Sequence, residues 1–174
     1  MLIKLTDVLA YDNKVMQMKA PLDMVSFDSR LGSFPIVNKS DVDLLITHTS
    51  KKNITIEAKA SLTISIPCDR CLESVETRFD IDVTKDIDLA LINEDRINEL
   101  DETDYIIGYE LDVDKLIYGE ILLNWPMKTL CRDACKGICN HCGMNLNHGE
   151  CDCDKTVLDP RMAAIRDIFN NFKQ

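Results

Sequence analysis

Residues 53–66 read NITIEAKASLTISI, and their alternation decides the fold. Ile54, Ile56, Ala58 and Ala60 share one face, Leu62, Ile64 and Ile66 continue the parity, and Thr55, Thr63 and Ser65 point away. Successive side chains of a strand project to opposite faces, so this period of two marks a half-buried antiparallel strand. The neighbouring stretches VDLLITHTS (42–50) and VETRFDIDVTKDIDLAL (75–91) repeat the pattern, with SKKN and PCDRCLES as polar breaks. Short breaks make sequential strands neighbours, which predicts an antiparallel meander of three to five strands over about residues 33–91. Upstream, MLIKLTDVLA (1–10) offers an initial strand, while PLDMVSF (21–27) and GSFPIVNKS (32–40) are short and turn-rich.

The period changes after the sheet. In ELDVDKLIYGEILLNWP (110–126), Val113, Leu116, Ile117, Ile121 and Trp125 form one helical stripe, with Asp112 as N-cap and Pro126 as stop. Glu120 lies on that stripe, where a carboxylate is either at the rim or paired, and the rim is expected. DPRMAAIRDIFNNF (159–172) repeats the logic: Asp159 caps, Pro160 suits the first helical position, and Met162, Ile165, Ile168 or Phe169, and Phe172 face inward. The fold class expected is therefore α+β, an antiparallel β-sheet meander with packed helices at 112–125 and 160–172 and a C-terminal cysteine-rich zinc-binding loop between them. Residues 1–126 form the α+β domain; residues 127–174 form the cysteine-rich module and C-terminal helix, packed on that same domain. The acidic segment 86–104, with eight Asp/Glu and one Arg, reads as the end of a strand followed by a solvated connector.

The net charge of −10 is uneven. Residues 126–174 carry seven Lys/Arg against six Asp/Glu, so the acidity belongs to residues 1–125. An acidic chain lacks the global field that drives nonspecific nucleic-acid binding, so any RNA contact needs a local basic patch. No apolar run approaches the roughly 18 residues of a membrane span, and the N-terminal stretch mixes charged and polar residues where a secretory signal needs an apolar run. A cytoplasmic location is expected, where eight cysteines favour metal over structural disulfides.

Six of those cysteines fall within the 23 residues 131–153, CRDACKGICNHCGMNLNHGECDC. Cys139 and Cys142 form a C-x-x-C followed by Gly143, the arrangement of a zinc knuckle. Two thiolates three positions apart reach one ion, turn N–H groups point at the sulfurs, and glycine permits the positive φ. Cys151 and Cys153 supply a second pair, completing four thiolates around one Zn²⁺. The intervening GMNLNHGE is a poor core former, so coordination must order the loop. Cys68 and Cys71 in the break between two strands, with Cys131 and Cys135 after the helix, suggest a second four-thiolate site clipping sheet to helix. Alternatively, Cys131 and Cys135 serve the C-terminal ion in place of another pair, leaving Cys68 and Cys71 free or as a redox pair. One or two structural Zn²⁺ ions follow. His141 and His148 are expected outside the coordination sphere, and His48 as a structural residue of a strand.

Catalysis is not expected. Four cysteines saturate a zinc site, whereas a catalytic ion keeps an open position. No H-E-x-x-H, G-x-S-x-G, P-loop or G-x-G-x-x-G occurs. The CDRC stretch lacks the βαβ context of a thioredoxin-like motif, since strand patterns flank it.

Together, CDRCLE after an alternating strand, EILLNWPMKTLC at a helix end, CKGICNHCGMNLNHGECDC and DPRMAAIRDIF resemble the YceD-type large ribosomal RNA subunit accumulation proteins, a bacterial family with plastid relatives once catalogued as a domain of unknown function. The resemblance runs from about Ser61 to the C-terminus. It implies a non-enzymatic role in the synthesis, processing or accumulation of 23S rRNA and in large-subunit assembly. The partners implied are the large-subunit precursor, through 23S rRNA or a basic ribosomal protein, with no DNA, membrane or small-molecule substrate. Some members lack the C-terminal thiols, which implies that the zinc module elaborates the fold and is not itself the activity.

Overall fold

The computed structural model describes residues 1–10, 14–50, 53–88 and 105–153. Four strands dominate it. β4 (Gly32–Lys39) and β5 (Val42–Ser50) follow one another along one edge of β6 (Asn53–Pro67), and β7 (Ser74–Asp88) covers the other edge in unbroken register from Asn53↔Asp88 to Pro67↔Ser74. Ser40 bridges the jog between β4 and β5, its N–H donating to Ser61 O at 2.8 Å and its Oγ accepting from Ser61 N–H at 3.0 Å. β3 (Ser26–Ser29) pairs with β4, and β2 (Val15–Ala20) with β5. Of the meander expected over about residues 33–91, β5–β6–β7 run as sequential neighbours, but β4 pairs with β6 and not with β5, and the sheet begins well before residue 33.

Every even position of β6 from Ile54 to Ile66 is buried, as the alternation requires. On β7, Phe79, Ile81, Val83 and Ile87 face the same core. β2 is a strand that sequence reading passed over. VMQMKA has few β-branched residues, and only its inward Met16, Met18 and Ala20 meet the core, so it folds as a strand because β5 offers it a partner.

The opening segment divides. β1 (Leu2–Lys4) is a strand, but α1 (Thr6–Leu9) turns helical and buries Val8. β1 joins a separate three-stranded sheet with β9 (Glu110–Asp112) and β8 (Ile106–Ile107), so the run leading into the second helix is first a strand. α2 (Val113–Leu123) follows at once. Asp112 is its N-cap, its carboxylate accepting from Lys115 N–H at 3.4 Å, and Asn124 caps the C-terminus. Trp125 lies beyond the helix yet still packs on the core.

Glu120 departs from expectation. It is buried, not at a rim, and pairs with Lys85 Nζ at 3.0 Å. Lys85 shares the inward parity of Ile81, Val83 and Ile87, so the sheet presents one cation to the helix and α2 answers with one carboxylate. His48 is buried on β5, as a structural residue should be. The acidic segment does begin as the end of a strand, at Asp88; its remainder, 89–104, and the helix expected at 160–172 lie outside the described residues. Among the described residues no helix is long and apolar enough to cross a membrane.

Candidate metal centre

β6 and β7 are 15 residues each, so their hairpin extends about 50 Å at a strand's rise per residue. CDRCLE (68–73) is its tip. There the chain makes a tight turn in which Leu72 N–H donates to Cys68 O at 2.9 Å and Cys68 N–H to Glu73 O at 2.7 Å. CNHCGM (139–144) makes the same turn: Gly143 N–H donates to Cys139 O at 2.9 Å and Cys139 N–H to Met144 O at 2.8 Å. The residue after the second cysteine is left-handed in both, with φ 73° at Gly143 and 63° at Leu72. The two turns are two copies of one knuckle. Sequence reading recognised the second by its glycine and not the first, where a leucine occupies a conformation costing it about 1–2 kcal/mol.

After Trp125 the chain runs back to the hairpin tip. Asp69 N–H donates to Thr129 O at 2.9 Å, and Thr129 N–H to Asp69 Oδ2 at 2.7 Å. This reciprocal pair delivers Cys131 and Cys135 to the first knuckle. Cys68 Sγ and Cys135 Sγ are 3.9 Å apart, Cys71 Sγ and Cys131 Sγ 3.5 Å, and all four sulfurs lie within 4.8 Å of one another. Cys139, Cys142, Cys151 and Cys153 form a second such set. Of the two pairings open at the outset, the structure selects the clip between sheet and helix, over a gap of some sixty residues. All eight cysteines are free thiols.

The donor chemistry fits zinc. A tetrahedral ion with Zn–S bonds of about 2.3 Å separates its sulfurs by about 3.8 Å, which the clip's spacings bracket. Each set is four soft thiols, the composition of a closed structural site. In each set the four sulfurs lie within 4.8 Å of one another, close enough to converge on one ion.

The backbone also sorts the thiols electrically. Burial resists ionisation of Cys68, yet the N–H groups of Arg70, Cys131 and Cys71 outweigh it and bring its pKa down to about 6. At Cys71 the Glu73 N–H favours the thiolate, but burial and the surrounding thiols win and push it up to about 12. In the second set, the N–H groups of Cys142 and His141 bring Cys139 down to about 6, while the Cys142 side chain pushes Cys153 up to about 12. In each set the turn amides thus favour the charged form of one thiol, the form in which a cysteine holds a cation.

Several residues that sequence reading did not single out hold the clip. Arg70 Nη1 donates to Cys135 O at 2.9 Å, and Arg70 O accepts from Ile138 N–H at 3.1 Å. Asn147 Nδ2 donates to Cys135 Sγ at 3.3 Å. Exposed His148 meets Glu73 through Nε2, outside both sulfur sets. Gly137 has φ +78°, and a Cβ there would stand 3.1 Å from Arg70 O. Gly137→Ala is therefore expected to cost about 1–2 kcal/mol for the left-handed backbone alone, with more from displacing a carbonyl already used by Ile138. Thermal unfolding of the metal-loaded protein checks this, and the same variant should release the clip's metal at lower chelator concentration.

Fold and site together define an antiparallel-sheet protein whose longest described hairpin ends beside two four-thiol clusters, each able to hold a metal ion. A family model described as "Large ribosomal RNA subunit accumulation protein YceD" matches residues 56–169, a stretch containing all eight cysteines, and the chain belongs to that family. Among similar proteins, uncharacterized proteins of Mycobacterium tuberculosis and Mycobacterium bovis are 27% identical over 129 residues, covering 74% of this chain and 61% of theirs. The "Large ribosomal RNA subunit accumulation protein YCED homolog 1, chloroplastic" of Arabidopsis thaliana is 25% identical over 150 residues, covering 71% of this chain and 47% of that protein. The chain thus spans less than two thirds of the length of the mycobacterial relatives and about half that of the plant one. No solved structure matches.

Proposed function

We propose that this protein is a non-enzymatic factor supporting 23S rRNA accumulation and large-subunit assembly, with structural Zn²⁺ on both thiol sets. The observation that carries the reading is the family match over the stretch that builds the hairpin and the module. Four thiols per ion leave no open coordination position for substrate, so the ions shape a surface. The thiolate-bound ions and the sheet face beside them are acidic. Each zinc with four thiolates bears about two negative charges by formal count, and the outward face of β7 carries Glu76, Asp80, Asp82, Asp86 and Asp88 against Arg78 alone. Such a surface attracts a basic protein and repels bare RNA. The direct partner is accordingly a basic ribosomal protein of the large subunit, and the effect on rRNA is indirect.

Depleting the protein in cells and measuring 23S against 16S rRNA tests this, with gradient profiles of the subunits. Loss of 23S rRNA and of large subunits, with 16S rRNA preserved, is expected. Unchanged 23S rRNA and profiles would overturn the reading. In-cell crosslinking should recover a ribosomal protein before rRNA, and hydrolysis of rRNA fragments by the purified protein would revive an enzyme.

A further inference from the structure

The two thiol sets do not stand apart. Only three residues separate Cys135, the last sulfur of the clip, from Cys139, the first of the outer set. The loop between Cys142 and Cys151 folds back over those three. Leu146 N–H donates to Gly137 O at 2.9 Å, and Ile138 and Asn145 form an antiparallel bridge.

Asn147 makes the closest link. Its Oδ1 accepts from Lys136 N–H at 2.9 Å while its Nδ2 donates to Cys135 Sγ at 3.3 Å. Its own N–H is held by Asn145 Oδ1 at 2.9 Å. A carboxamide engaged at both ends has one workable orientation. Flipped, it would set an oxygen against the sulfur and an N–H against an N–H. A metal-bound thiolate keeps lone-pair density that accepts such donors, and outer partners of this kind commonly change metal affinity about 10–100-fold.

The residue that donates to the clip thus sits in a loop whose two ends are ligands of the other set. We propose that Asn147 is a positioning residue coupling the two metal sites. An ion on Cys139, Cys142, Cys151 and Cys153 fixes both ends of loop 143–150 and presents the Asn147 amide to Cys135. By reciprocity, an ion on the clip favours filling of the outer set, so the two ions bind cooperatively. GMNLNHGE has few apolar groups to order the loop otherwise. This inference rests on the zinc reading above.

The test is chelator competition on the zinc-loaded full chain, beside ¹¹³Cd NMR of the cadmium form. The wild type should take two ions and release them in one transition. Asn147→Ala should still take two ions, but release should separate into two transitions, with the clip's affinity lowered about 10–100-fold and its ¹¹³Cd resonance moved. Asn147→Asp, which keeps an acceptor for Lys136 N–H but loses the donor, should behave no better than alanine. A wild type releasing its ions independently, or an Asn147→Ala variant with unchanged release and spectrum, overturns the coupling and leaves the zinc reading standing. A wild type that binds no zinc overturns both.

Discussion

Stripping metal from the loaded protein is expected to abolish hydrogen-exchange protection across residues 67–74 and 127–153 while the amides of 54–66 and 75–87 stay protected. The two regions have separate cores. The main one gathers the inward faces of β2 to β7, α1 and α2, and includes Leu44, Ile46, Ile56, Ile64 and Leu116 at essentially complete burial. The other consists of Cys68, Cys71 and Cys135 with partly buried Val75, Leu130 and Ile138. Fixing one residue's backbone costs about 1–2 kcal/mol, whereas fully burying a large apolar side chain returns only about 1.5–3 kcal/mol. Three small buried thiols and three half-buried apolar side chains therefore cannot order a lobe of this length. A structural zinc supplies on the order of 10 kcal/mol or more, enough to decide the matter. Cys68→Ser should reduce two ions to one and free both the hairpin tip and 127–138; Cys142→Ser should loosen the outer loop and, through Asn147, ease release of the clip's ion. If 127–153 remained protected after both ions were removed, the thiols would be packing groups and the metal reading would fail. Global unfolding on chelation would show instead that the clip also secures the sheet.

How much of this was legible in the chain depends on range. β5, β6 and β7 announce themselves because their alternation is local and their breaks are short. α2 does so because Asp112 and the Val113–Ile121 stripe are local too. β2 was passed over because its residues carry little strand preference and its partner lies more than twenty positions away. β1 was visible, but its pairing with β9 spans most of the chain. The thiols divide the same way. The knuckle of Cys139 and Cys142 was readable from Gly143, while the identical turn at Cys68 was masked by Leu72, and the grouping of four pairs into two sets depended on a contact between Asp69 and Thr129. Asn147 stood within the string that carries the family resemblance, but its role did not show, since a donor to a sulfur twelve residues away follows no periodicity. A lysine at Lys85, on the inward parity of β7, was the available hint that Glu120 would be paired.

Trp125→Ala is expected to destabilise the sheet domain by about 3–5 kcal/mol, the range for deleting a large packed aromatic. The indole stacks on Phe27, with centroids 5.0 Å apart and planes 20° apart, and on Phe79 at 5.9 Å and 25°, while Phe34 approaches at 5.0 Å. Phe27 in turn meets Tyr118 of α2 at 4.8 Å, and Tyr118 Oη donates to Asp28 O at 2.8 Å. One side chain thus joins the β3–β4 hairpin, β7 and the end of α2. It also stands four residues before Thr129, where the chain departs toward the clip. Its loss should lower the urea midpoint of the sheet and also ease release of the clip's metal, because the lead-in to Cys131 loses its anchor. Trp125→Phe keeps the stacking and much of the area, so its cost should stay below about 1.5 kcal/mol, as for substitutions that conserve most of the volume. Trp125 is the chain's single tryptophan, so unfolding must be followed by circular dichroism. A loss of less than 1 kcal/mol in the alanine variant would mean that α2 and the hairpin are held by the aliphatic core alone.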